Sequence, residues 1–142
     1  MSSTIALSAD QFGIVYNILS FGLVSMLACT VYTLVSQSRV LPKYRTALVM
    51  SSMVTFIAAY HYMRIFNSFE DSFNHETGAL SVGTGHGAFN EGYRYVDWIL
   101  TVPLLLVEVV AVLALAKAAA SSLITRLVPA SAAMIALGYP GE

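Results

Sequence analysis

Asp97 and Glu108 lie in the segment YRYVDWILTVPLLLVE, residues 93–108, one of the most apolar stretches of the chain. An ionisable group in such a run is costly, and it is retained where it serves a pathway or finds a partner. The two acids are eleven residues apart, which on a helix is about 20° beyond three full turns and about 16 Å of rise. Both carboxyls therefore share one helical face, one above the other. A column of proton-exchanging groups facing the interior of a bundle is what a proton relay requires. Thr101, one turn after Asp97, falls on the same face and can hydrogen-bond locally.

Each residue also has a simpler reading. Arg94 can be an interfacial anchor, with Asp97, three residues on, as its ion-pair partner. Glu108 has no basic residue within a helical turn, so the simple reading leaves it unexplained. A carboxyl in hydrocarbon is carried most cheaply in its neutral form, the form a proton donor needs.

Composition says what elements must hold these groups. Of 142 residues, 57% are hydrophobic and 11% are charged, with a mean hydropathy of +0.71, whereas soluble domains carry roughly 25% charged residues. Such a chain is a membrane protein. The single Cys29 sits inside an apolar run, which excludes a disulfide framework and a cysteine-based metal centre, and no metal site is expected. The start, MSSTIALSAD, has no basic residue ahead of a short apolar core and is not a recognisable cleaved signal peptide.

Stretches nearly free of charge predict four spanning helices at about 11–37, 45–66, 94–116 and 123–141, each of a length that can cross a bilayer. The second includes Arg45 and Arg64, whose charged heads can snorkel to the interface. Pro103 and Pro129 do not veto helices, because neighbouring helices in a membrane can satisfy the freed carbonyls. Arg39, Lys43, Arg45, Lys117 and Arg126 fall in or beside two connections that contain no acid, and Asp10, Glu70, Asp71, Glu76, Glu91 and Glu142 fall on the opposite side. The excess of positive charge on the cytoplasmic side predicts an external N-terminus. The long segment 67–92 is then an external, hairpin-like loop. Its SVGTGHG neither follows a strand nor opens a helix, which argues against a phosphate cradle, and His75 and His86 read as solvated loop residues.

His61 precedes Arg64 by three residues on the second span, as Asp97 follows Arg94 by three on the third. On antiparallel helices this puts both at one depth, about 4.5 Å inside an arginine boundary. The histidine can hydrogen-bond to the carboxylate or to a backbone carbonyl. Helix rotation decides between them, and the sequence leaves it open.

The run RYVDWILTVPLLLVE, with YHYMRIFNSF in the second span and MIALGYPGE at the end, resembles the microbial rhodopsins, in particular the proteorhodopsin and xanthorhodopsin-like proton pumps. The resemblance runs from the first span to the last residue. It implies an all-α membrane protein: helices A to D of a seven-helix bundle, with residues 1–142 forming a partial rhodopsin domain that lacks helices E to G. It also implies all-trans retinal as cofactor, held as a protonated Schiff base, and light-driven outward proton transport by a transporter or photoreceptor rather than an enzyme.

Carried over position by position, Asp97 resembles the proton acceptor and counterion, Glu108 the proton donor, His61 the histidine paired with the acceptor, and Arg94 the arginine on the release side. Trp98, Thr101, Val102 and Leu105 resemble the retinal-pocket wall of the third helix, Met134 and Gly138 that of the fourth, and Tyr62 is a further pocket candidate. Leucine at 105 is similar to green-absorbing members. Chloride-pumping relatives lack a carboxylate at the Asp97 position, and sodium-pumping ones carry Asn, Asp and Gln where this chain has Asp97, Thr101 and Glu108. Sensory members commonly lack the donor.

The family's retinal lysine lies in its seventh helix. Lys43 and Lys117, the only lysines, fall at the cytoplasmic connections, so no Schiff-base lysine is expected in this chain. The expectation is an N-terminal fragment of a longer product, able to hold retinal firmly only with the remaining helices. The implied setting is a bacterial plasma membrane, multi-pass, with protons and lipid as partners, a homo-oligomer at full length, and no nucleic acid. Two other readings stay open: a photosensory rhodopsin that signals through a partner, and a four-helix membrane scaffold without a chromophore, for which Glu108 has no purpose.

Overall fold

The computed structural model describes residues 4–74, 79–81 and 92–139. Along the chain run strand β1 (Thr4–Ala6), helix α1 (Ala9–Val35) with a 3-10 turn (Ser36–Arg39), α2 (Pro42–Ser72), strands β2 (Phe73–Asn74) and β3 (Ala79–Ser81), α3 (Gly92–Val112) and α4 (Lys117–Gly138). All four helices are long and apolar enough to cross a membrane.

Local chemistry explains the helix ends. Ser8 Oγ accepts the backbone N–H of Gln11 at 3.2 Å while Gln11 Oε1 accepts that of Ser8 at 3.0 Å, a capping box that satisfies two donors at the start of α1. Pro42 opens α2, where a missing N–H costs nothing and the fixed φ suits the first turn. Pro103 and Pro129 lie inside α3 and α4 without ending them, as expected for membrane helices.

Three boundaries differ from the spans drawn on hydropathy. Helix α2 continues to Ser72; its 31 residues measure about 46 Å, more than the roughly 30 Å of hydrocarbon. Its last turns carry Glu70 and Asp71 on their exposed side and the buried Phe69 on the other, stacked on Phe12 of α1 with ring centroids 5.1 Å apart. Helix α4 starts early, at Lys117, because the run KAAASS extends the helix ahead of its apolar part. Helix α3 stops early, at Val112, where Ala114 adopts a left-handed φ of 48°. That conformation costs a residue with a Cβ about 1–2 kcal/mol. Replacing Ala114 by Gly is therefore expected to stabilise the fold by about 1 kcal/mol, read as a higher unfolding midpoint in lipid nanodiscs.

Strands β2 and β3 pair antiparallel, with Phe73 opposite Leu80 and Asn74 opposite Ala79, matching the hairpin-like connection expected between the second and third spans. The chain's first strand joins them, β1 pairing with β3 through Thr4–Ser81, Ile5–Leu80 and Ala6–Ala79 in the order β1-β3-β2. Three residues are too few for a periodic signal, so sequence could not announce this strand. His75, Glu76, His86, Glu91, most of SVGTGHG and the terminal residues 140–142 lie outside the described residues.

Each helix packs on its neighbours in sequence, and among the described residues α4 does not turn back on α1 to close a four-helix bundle. Between α1 and α2 the contact is made by small and hydroxyl residues, as membrane helices prefer. Thr30 and Thr55 meet at 2.8 Å and Thr33 and Ser52 at 2.7 Å, each hydroxyl also reaching a carbonyl of its own helix about one turn back. The site lies between α2 and α3, where His61 and Asp97 are nearly buried.

Candidate functional site

Helices α2 and α3 run antiparallel and bring His61 against Asp97 near the sheet end of the molecule. His61 Nδ1 is 3.0 Å from the carbonyl of Ile57 and 3.2 Å from Asp97 Oδ1. Both neighbours are acceptors, so Nδ1 carries the proton. Its N–H is aligned on the carbonyl, and Asp97 Oδ1, buried, keeps no hydrogen-bond partner among the described residues. The two side chains are only 7% and 14% exposed, so their mutual field is weakly screened. Of the two partners left open for His61, the backbone carbonyl takes the hydrogen bond, and the acid lies beside the same nitrogen in ion-pair range without an aligned bond.

Thr101, one turn further, is buried and donates to the backbone carbonyl of Asp97 at 2.9 Å. Its hydroxyl pins the α3 backbone rather than the carboxyl group. Arg94 is exposed one turn towards the sheet end. Glu108, one face with Asp97 and about 16 Å away along the helix, is half-buried in a groove of about 270 Å³ lined by Leu105, Val109, Val112 and Leu113. Among the described residues no hydrogen bond or ion pair reaches it.

The expected pocket residues fall into two groups. Val102 and Tyr62 are half-buried, whereas Trp98, Leu105 and Met134 are 39%, 44% and 60% exposed and Gly138 is exposed beside Tyr95. Trp98 is held edge-on by Tyr95 at 5.2 Å, which itself meets Tyr139. Tyr62 is seated by a glycine that sequence reading did not single out: a Cβ on Gly22 of α1 would lie 3.0 Å from the Tyr62 ring. Gly22→Ala is expected to displace that ring and destabilise the protein by about 1–3 kcal/mol, seen as a lower unfolding midpoint together with changed tyrosine near-ultraviolet circular dichroism.

A second α2–α3 contact was also unannounced. Arg64 Nη2 donates to the Tyr93 hydroxyl at 2.9 Å, and its guanidinium lies 4.9 Å from the centre of the same ring. The signal was present in the spacing, since Arg64 is three residues from His61 and Tyr93 four from Asp97. Lys43 and Lys117, by contrast, stand at the first turns of α2 and α4, and Lys43 is about 27 Å along the helix from His61.

The bacteriorhodopsin-like protein family matches residues 15–142. The chain belongs to this family. Green-light absorbing proteorhodopsin of the gamma-proteobacterium EBAC31A08 is 38% identical to this rhodopsin over 129 residues, which cover 89% of the chain and 46% of that protein. Blue-light absorbing proteorhodopsin of the gamma-proteobacterium Hot 75m4 is 32% identical over 134 residues, 94% of the chain and 47% of the relative. Among solved structures, that of xanthorhodopsin, described as a light-driven ion pump with dual chromophore, superposes with a TM-score of 0.86 at 42% identity, covering 99% of this chain and 54% of that one. Thermophilic rhodopsin superposes with a TM-score of 0.84 at 46% identity, covering 94% and 52%. The rhodopsin chain therefore spans about half the length of the relatives it matches, and its four helices correspond to helices A to D of their seven-helix fold.

Proposed function

We propose that this chain supplies the first four helices of a light-driven outward proton pump, with Asp97 as proton acceptor and Glu108 as proton donor. The observation that carries this reading is the pair of acids on one face of α3: Asp97 nearly buried beside His61, Glu108 in an apolar groove nearer the basic connections. The chain's own residues suit retinal. Trp98, Leu105 and Met134 present exposed apolar surface, and the buried Asp97 Oδ1 lacks a partner that a cationic nitrogen would provide. Bound through a lysine on a further helix, retinal would supply light absorption and a protonatable nitrogen.

The protein groups then divide the work. Asp97 receives a proton at a carboxyl oxygen, and the His61 Nδ1–H beside it stabilises the carboxylate beforehand. Thr101 holds the backbone that aims this carboxyl. Arg94, one turn beyond, faces the release side. Glu108 delivers a proton from the opposite end. With the basic connections in the cytoplasm, protons move outward across a bacterial plasma membrane, the N-terminus outside, in a full-length protein that assembles as a homo-oligomer.

Cells expressing the full-length protein with all-trans retinal should acidify the medium on illumination, and a protonophore should abolish the signal. A coloured protein that cycles slowly with no pH change would favour the photosensory reading. A colourless one would favour a scaffold without a chromophore.

A further inference from the structure

We propose that Tyr93 is a positioning residue for the acceptor: its hydroxyl, bound by Arg64, forms a second rung between α2 and α3 that keeps His61 against Asp97. The proposal rests on the reading of Asp97 as acceptor. Its geometry is that of a short ladder. His61 and Arg64 are three residues apart on α2, and Tyr93 and Asp97 four apart on the antiparallel α3, so the two pairs form adjacent rungs with rises of about 4.5 and 6 Å on the two helices. Both are made at hydrogen-bonding range, 3.2 Å for His61–Asp97 and 2.9 Å for Arg64–Tyr93.

The inner rung needs such help. His61 Nδ1–H is spent on its own helix at Ile57, so its approach to Asp97 Oδ1 is not secured by an aligned hydrogen bond. Packing sets the overall register of α2 and α3, and a directional contact next to the pair can fix it at this level. Away from the sheet end, the next side chain on that face, Thr101, bonds only within α3. Towards the sheet end stands Arg64–Tyr93, which joins the two helices through a charge-assisted hydrogen bond and a cation–ring contact at once. A small slide of α2 against α3 would lengthen the inner contact in a site where screening is weak, so the rung acts on the acceptor through His61 rather than by touching it.

Charge and position can be separated. Among the described residues His61 is the one basic group in ion-pair contact with Asp97; the other nearby charges are Arg94 on α3 and Arg64 on α2. Arg64→Gln removes a charge and the rung together. Tyr93→Phe removes the hydroxyl alone, leaving the guanidinium and an aromatic ring beneath it. The first measurement is the acid titration of colour in the full-length, retinal-loaded protein in nanodiscs. Tyr93→Phe is expected to move the midpoint upward by about one pH unit, a tenfold change in proton affinity, and Arg64→Lys, which can still reach the phenol, by less than Arg64→Gln. A Tyr93→Phe midpoint equal to the parent's, with Arg64→Gln shifted, would overturn the proposal and leave Arg64 acting through charge alone.

The second measurement is ¹⁵N solid-state NMR of the His61 ring in retinal-free membranes. Tyr93→Phe should shift the Nδ1–H resonance, and an unmoved resonance would count against the rung with or without chromophore. Asp97→Asn is the control on the underlying reading. If its colour still titrates as in the parent, the acceptor assignment fails, whereas the NMR result continues to judge the rung.

Discussion

Asp97→Asn should abolish light-driven acidification while leaving the fold intact. The amide is nearly isosteric with the carboxyl and can still sit beside His61, so packing between α2 and α3 is kept. It cannot accept a proton at any accessible pH, however, and no other carboxyl of α3 lies nearer than Glu108, about 16 Å along the helix. Loss of a positioned proton acceptor costs typically about 10²–10⁴-fold in rate, and initial acidification by illuminated cells, measured with a pH electrode, should fall by at least that lower figure. Asp97→Glu, which keeps the chemistry but moves the oxygen, should pump at a reduced rate. Acidification by the Asn variant within twofold of the parent would mean that the buried, unpartnered oxygen at this position is not the acceptor.

Glu108→Gln should affect the other half of the cycle. Glu108 has no partner among the described residues, and Leu105, Val109, Val112 and Leu113 surround it, so its replacement leaves no charge stranded and disturbs little packing. What it removes is the only protonatable side chain on α3 nearer than Asp97 to the basic connections. Recovery after a flash is expected to slow by about 10²-fold at neutral pH, while the absorption maximum stays within a few nanometres of the parent because the group is about 16 Å from Asp97. Flash photolysis resolves the two effects. Recovery at the parent's rate would show that protons reach the site without Glu108 and would remove the main distinction from a photosensory protein.

Much of this arrangement is legible in the sequence. The four spans follow from hydropathy, and the Asp97–Glu108 column follows from the helical repeat alone. The equal depth of His61 and Asp97 came from counting to Arg64 and Arg94. Where the reading fell short, the cause was specific. Hydropathy locates hydrocarbon rather than helix, so it missed the extension of α2 that Phe69 anchors on Phe12 and the polar start of α4. The N-terminal strand depends on pairing with residues 79–81, far away in sequence. Gly22 was invisible as a contact because nothing in a glycine names the ring it admits.

Sequence by itself determined that this is a membrane-spanning chain with two acids on one face of its third helix, because composition and helical periodicity are local properties. Its motifs also pointed to the family that the comparisons then showed. Only the tertiary structure decided the rotation of α2 about its axis, and with it that His61 faces Asp97 while its Nδ1–H serves Ile57, and that Arg64 finds Tyr93. Rotation and register arise from packing between helices, here hydroxyl side chains meeting between α1 and α2 and the His61–Asp97 and Arg64–Tyr93 contacts between α2 and α3, and no count along a single chain contains them.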